Sequence, residues 1–334
     1  MRAMTVTSIG IIGAGAWGTA LATVAARAGL PVRLWARNPG VVSVMAGEHE
    51  NTARLPGIVL PEGIVPTSSR SDLAACDCVL IATPAQAMRA VMAEFAPLLA
   101  PGTRAVVTAK GIEQRTGLFM ADVLAEAAPR LEPLVLSGPS FAADVARGLP
   151  TAVTLAARSL EIARPVAEAL SIQTFRPYLS DDLAGVQIGG AVKNVLAIAC
   201  GIVAGRGLGE SARAALIARA FAELTRFGRV LGARPETLTG LSGLGDLVLT
   251  CSSTQSRNYS FGVALGQGKT AAEASAGQKG VSEGAFTAAA VASIASARGI
   301  DMPICAAVLD ILEARASVAT VIERLMQRPL KAED

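Results

Sequence analysis

Gly13-Ala14-Gly15-Ala16-Trp17-Gly18 follows directly on an apolar run at 8–12 and leads directly into a helical pattern at 17–28, closed by Gly29. In that setting the first glycine of G-x-G-x-x-G permits a tight turn, the second lets the backbone approach a pyrophosphate, and the third lets helix and strand pack closely. The phosphates meet free N–H groups and the positive end of the helix dipole. The stretch predicts the first βαβ unit of a dinucleotide-binding sheet, with Gly13, Gly15, Ala16, Trp17 and Gly18 around the cofactor. An incidental glycine-rich turn is the weaker alternative.

Working outward, short β-branched runs at 32–35, 78–82, 105–109, 134–137 and 152–155 alternate with helical patterns at 88–99, 118–127 and 160–170, the signature of a mainly parallel sheet. Beyond about Leu183 helical periodicity takes over, at 183–201, 212–231, 235–241, 260–265, 283–298, 304–313 and 318–327. Ser180-Asp181-Asp182 offers an N-cap for the first of these. The expected fold is α/β: an N-terminal Rossmann-type doubly wound sheet over 1–181 and an all-α C-terminal substrate domain over 182–334.

A chain of 334 residues is long enough for two cores. Its net charge of +3 supplies no broad field for nucleic acid or a membrane surface, so any anion site must be local. The five cysteines, Cys76, Cys78, Cys200, Cys251 and Cys305, lack metal-ligand spacing; Cys76 and Cys78, if in one strand, would face the same side. Buried thiols in a reducing cytosol and no metal are expected. The segment 7–30 is apolar but carries the phosphate-turn glycines rather than a targeting pattern. The segment 185–205 is long enough to span a bilayer, yet Gln187, Lys193 and Asn194 oppose insertion. A soluble cytoplasmic protein is expected, and a homodimer through apolar helices of the second half rests on fold analogy alone.

Lys193 and Asn194 sit side by side in that small-residue segment. Burial disfavours a charged amine and draws its pKa toward neutrality, as a general acid requires. On a helix the lysine leans back over Gly189 and Gly190, where space for a substrate is expected. Snorkelling to solvent is the competing reading of this segment. The only histidine, His49, lies in a polar loop without a catalytic pattern, so a dehydrogenase built on this chain would turn to lysine for its acid.

Ligands of open parallel sheets bind beyond the carboxyl ends of the strands. The second strand ends Trp35-Ala36-Arg37-Asn38, without the acid that bonds a ribose 2′-hydroxyl, and Arg37 is placed to meet a 2′-phosphate; NADP is favoured or at least accepted, with a solvated surface arginine as the alternative. Thr83-Pro84, Lys110-Gly111 and Gly138-Pro139-Ser140 also fall at strand ends. Lys110 is expected near the nicotinamide as a donor to substrate, and the Gly138–Ser140 turn as a source of N–H groups and a hydroxyl. In the helical half, Gly243-Leu244-Gly245-Asp246 precedes the hydroxyl-rich tract Thr250 to Asn258, which suits a phosphate or carboxylate clamp. Asp246 is placed to orient the Lys193 amine and to hold a substrate hydroxyl.

Together, Gly13–Leu21, Ala109-Lys110-Gly111-Ile112, Leu136–Ala142, Gly189–Val195, Gly243–Leu247 and Gln255-Ser256-Arg257-Asn258 resemble the bacterial-type NAD(P)-dependent glycerol-3-phosphate dehydrogenases, in one order over nearly the whole chain. The resemblance implies NADPH- or NADH-dependent, metal-free reduction of dihydroxyacetone phosphate to sn-glycerol 3-phosphate, which supplies the glycerol backbone of phospholipids. It makes Lys193 the proton donor and acceptor at the substrate oxygen, with Lys110, Asn194 and Asp246 around it. It places Gly138, Ser140, Ser256, Arg257 and Asn258 at the phosphoglycerol end. Ala16, Trp17, Arg37, Lys110, Ala142, Arg257, Val281 and Glu283 become cofactor contacts. Two positions depart from the pattern: Ala16 stands where serine is common, and Arg54 where tyrosine is common. A β-hydroxyacid dehydrogenase usually spaces its lysine and asparagine four apart, unlike this adjacent pair, and a non-catalytic dinucleotide sensor has no use for it.

Overall fold

The computed structural model describes residues 5–277, 282–329 and 332. Among the described residues eight strands form one sheet: β1 (Ile9–Ile12), β2 (Val32–Trp35), β3 (Ile64–Thr67), β4 (Cys78–Ile81), β5 (Arg104–Val107), β6 (Glu132–Ser137), β7 (Thr151–Ala156) and β8 (Phe175–Ser180). Their spatial order is β3-β2-β1-β4-β5-β6-β7-β8, parallel except between β6 and β7. The strand order reverses between β1 and β4, the topological switch point where ligands of such sheets bind. Gly13 occupies that point: its φ is 115°, and a Cβ there would stand 2.9 Å from the Ala82 carbonyl oxygen.

The central strands are buried on both faces, as parallel strands between helices must be. Cys78 and Leu80 join one apolar cluster, with Ile9, Ile11 and Leu34, beneath the Ala16–Arg27 and Leu160–Leu170 helices. Val79 and Ile81 join the opposite cluster with Met88, Met92, Phe95 and Val123. Cys76 belongs to that second cluster and precedes β4, so the two cysteines face opposite sides of the sheet, contrary to the expectation for a shared strand. All five cysteines are buried free thiols.

Both edge strands escaped the sequence reading, for a common reason. β3 contains Pro66 and β8 contains Pro177, and a residue without an N–H is tolerated in a sheet chiefly at its edges. The helices Pro39–Glu48, Ala142–Arg147, Asp246–Cys251 and Ala271–Ala276 were also not anticipated; the last three are six residues each, too short to show a period.

In the helical half the Leu183–Gly205 helix is the axis. Asp182 caps it, accepting from Gly185 N at 2.8 Å, while its other carboxylate oxygen accepts from Arg234 N at 2.9 Å. The helix is long and apolar enough to cross a membrane, yet 83% of that apolar window is buried inside the protein, where it serves as the core of this half. Its glycines exist for close packing. A Cβ on Gly201 would lie 2.1 Å from Tyr259 O, and one on Gly262 of the Arg257–Gly266 helix 2.1 Å from Ile198 O. In both cases the atom met is backbone and cannot yield by rotating a side chain. Gly262→Val should therefore destabilise the fold by about 3 kcal/mol or more, read as a lowered denaturant midpoint; a midpoint like that of the unaltered protein would refute this account of the packing.

Candidate active site

The Leu183–Gly205 helix, the loops after β5 and β6, and the Asp246–Cys251 helix converge on one carboxylate. Lys193 is only 6% exposed and donates to Asp246 Oδ1 and, at 2.7 Å, to Thr250 Oγ1. Lys110 donates to Asp246 Oδ2 at 2.7 Å and to Gly138 O at 3.0 Å. Asp246, 1% exposed, thus bridges two ammonium groups, with Lys193 on one oxygen and Lys110 on the other. Burial pulls the Lys193 amine down to about 8, against the opposing pull of Asp246 and with help from the neighbouring positive charge of Lys110. Lys193 is buried and ion-paired; it does not snorkel.

A π-helical turn, Leu241–Gly245, delivers Asp246. Its tight course depends on Gly243, where a Cβ would sit 1.9 Å from Leu238 O. Gly189 and Gly190 serve the same convergence. A Cβ on Gly189 would meet Ser242 O at 2.3 Å, and one on Gly190 would meet Ser137 Oγ at 2.7 Å and Lys110 Cγ at 3.3 Å. The substrate space expected over these glycines is filled by protein: they let the Asp246 turn and the Lys110 side chain close onto the helix.

Two asparagines stitch the elements together. Asn194 Nδ2 donates to Lys110 O at 3.1 Å, Asn258 Nδ2 donates to Asn194 Oδ1 at 2.9 Å, and Gly284 N donates to Asn258 Oδ1 at 3.0 Å. Ser256 is the N-cap of the Arg257–Gly266 helix and accepts from Tyr259 N at 3.2 Å. That helix begins three residues before the expected start, so Arg257, exposed, and Asn258 stand in its first turn. Gly138, at φ 144°, could carry no side chain, since a Cβ would lie 2.9 Å from Val153 Cα. Its carbonyl also accepts from Ser140 Oγ at 3.0 Å.

The residues suit a dinucleotide along the same strand ends. A Cβ on Gly15 would meet nothing within 4 Å among the described residues, leaving open space before the Ala16–Arg27 helix, whose first turn has neither a side-chain cap nor an acid. Gly18 has the opposite requirement, for its Cβ would lie 1.9 Å from Gly13 O. Glu283 Oε1 accepts from Ala85 N at 3.2 Å, while Glu283 Oε2, Thr83 Oγ1 and Ser137 Oγ are buried without a hydrogen-bond partner among the described residues. Burial raises the Glu283 carboxyl, with the Ala85 N–H and Arg257 acting against it. Trp17 packs against the sheet core, Ala142 begins its short helix, and Arg37 is exposed just past β2. Val281 lies outside the described residues.

Sequence reading did not single out Thr250, which touches the Lys193 amine, or Asn51, which reaches the glycine-rich turn. Thr250 lies four residues after Asp246, on the same helical face, and that spacing was a signal available in the chain. Asn51 carried no such signal.

Residues 8–163 match the family model described as NAD-dependent glycerol-3-phosphate dehydrogenase N-terminus, and residues 182–323 match that of the C-terminus. A glycerol-3-phosphate dehydrogenase [NAD(P)+] of Azorhizobium caulinodans is 60% identical over 325 residues, covering 97% of this chain and 98% of that one. A protein of the same name from Caulobacter vibrioides is 55% identical, over 99% of this chain and 100% of its own. The crystal structure of glycerol-3-phosphate dehydrogenase from Coxiella burnetii superposes with a TM-score of 0.92 at 40% identity, covering 97% of this chain and 99% of that one. The chain belongs to the NAD-dependent glycerol-3-phosphate dehydrogenase family.

Proposed function

We propose that this protein catalyses the reversible NAD(P)H-dependent reduction of dihydroxyacetone phosphate to sn-glycerol 3-phosphate, in the cytoplasm and as a homodimer, supplying glycerol backbones for phospholipid synthesis. Residues 1–181 are the dinucleotide-binding domain and 182–334 the helical substrate domain. The observation that carries the chemistry is the buried Lys193–Asp246–Lys110 cluster at the strand ends. The reduced nicotinamide supplies the hydride to the carbonyl carbon.

Every other step belongs to the protein. Lys193, held by Asp246 and Thr250, hydrogen-bonds the carbonyl oxygen and gives up its proton as negative charge develops there. Lys110 adds a second positive charge at that oxygen and fixes its side of the substrate. Asn194 and Asn258 hold Lys110 and the Gly284 end of the next helix in register beside the substrate. Ser140, Arg257 and the N-terminus of the Arg257–Gly266 helix receive the phosphate. Gly13 to Gly18, Arg37, Ala142, Val281 and Glu283 hold the dinucleotide.

The test follows absorbance at the nicotinamide band during oxidation of NADPH and NADH. Dihydroxyacetone phosphate should drive oxidation, and the keto form of a β-hydroxyacid should not. The reverse pattern would overturn the assignment, and binding of NADPH without substrate-dependent oxidation would reduce the protein to a sensor. With Lys193 near 8, the reductive rate should fall as pH rises above that value, because the acid is then unprotonated, while the oxidative rate should climb over the same range.

A further inference from the structure

Asn51 lies in the segment between the second helix and β3, three residues before Arg54. It is 1% exposed. Its Nδ2 donates to Ala14 O at 3.0 Å and to Thr19 Oγ1 at 2.8 Å, while its Oδ1 is buried without a partner among the described residues. A buried acceptor with no partner is unfavourable, so packing alone would prefer an apolar side chain. The amide is retained for what it donates.

We propose that Asn51 is a positioning residue for the cofactor: it locks the Ala14–Gly15 peptide so that the Gly15 N–H faces the pyrophosphate. The inference rests on the reading of Gly13 to Gly18 as the phosphate turn. In a planar trans peptide the carbonyl oxygen and the N–H of the same unit point in opposite directions. Holding the Ala14 oxygen toward Asn51 therefore turns the Gly15 N–H away from it, toward the open side where a Cβ on Gly15 would touch nothing. That N–H donates to no backbone carbonyl among the described residues.

The lock matters because of its neighbours. The Ala14–Gly15 unit turns about Ala14 ψ and Gly15 φ, and with glycine on its C-terminal side that rotation meets little steric resistance. The same glycine that admits the phosphate leaves its donor free to turn away. Asn51 restores the orientation from outside the turn, and its own backbone is anchored because its carbonyl accepts from Leu55 N at 2.8 Å and Arg54 N at 3.1 Å.

The test measures NADPH dissociation constants by fluorescence titration, together with KM and kcat, for the unaltered enzyme and three variants. Asn51→Ala should raise the NADPH dissociation constant and KM about tenfold, the worth of one well-made hydrogen bond, with kcat at saturating NADPH preserved. Thr19→Val removes only the second acceptor and should bind NADPH like the unaltered enzyme. Asn51→Asp, of equal size, should weaken binding further as pH rises and its carboxylate faces the Ala14 oxygen. Unchanged NADPH affinity in both Asn51 variants, with lowered melting temperature alone, would reduce Asn51 to a structural residue. An equal loss in Thr19→Val would place the effect in the helix and overturn the lock. Failure of the unaltered enzyme to bind NADPH would overturn the phosphate-turn reading along with it.

Discussion

Lys193→Met should lower kcat for reduction of dihydroxyacetone phosphate by roughly 10³-fold or more while NADPH binding stays close to that of the unaltered enzyme. Methionine fills a similar volume in a nearly closed site and leaves Asp246 paired with Lys110, so the fold is expected to persist. What disappears is the proton at the substrate oxygen and the positive charge that follows the alkoxide as it forms. Stopped-flow single turnovers separate this from substrate binding, and activity within tenfold of normal would end the lysine mechanism.

Asp246→Asn should injure stability and catalysis together. Among the described residues the carboxylate is the one acid that the two lysines share, and its removal leaves Lys193 buried beside Lys110 without compensation. Breaking one partner out of a buried ion pair costs about 3–5 kcal/mol, and the asparagine amide would turn an N–H toward one of two cations. Denaturant unfolding should show a loss at the lower end of that range, since Lys193 can shed its proton and Lys110 reaches partial solvent. Catalysis should fall by about 10², with a further signature in the pH profile. Asp246 is the main influence holding the Lys193 amine up against burial, so without it the reductive rate should decline from a pH below 8. A decline at the original pH with reduced kcat would assign Asp246 a steric role instead.

Much of the architecture was legible because it is written in local patterns. The β1 turn and its helix follow from the spacing of Gly13, Gly15 and Gly18, and the central strands from continuous apolar runs such as Cys78-Val79-Leu80-Ile81. Edge strands were illegible because Pro66 and Pro177 read as interruptions until the sheet order places them where no donor is required. The site was legible in its membership more than in its contacts. Lys193, Lys110 and Asp246 could be named from residue type and position, but distances of 83 and 136 residues along the chain separate Lys110 from Lys193 and from Asp246.

The chain by itself determined which residues are able to do chemistry here: a lysine in an apolar helix, glycines before a helix N-terminus, and no usable histidine. These follow from side-chain chemistry and short-range spacing. Only the tertiary structure decided how they meet. It made Asp246 a bridge between two lysines, filled the space over Gly189 and Gly190 with the Ser242 backbone and the Ser137 and Lys110 side chains, and linked Asn194 and Asn258 across neighbouring helices. It also brought Asn51 onto Ala14. The physical reason is that burial and hydrogen-bond partnership depend on long-range approach, which the order of residues encodes only through the fold.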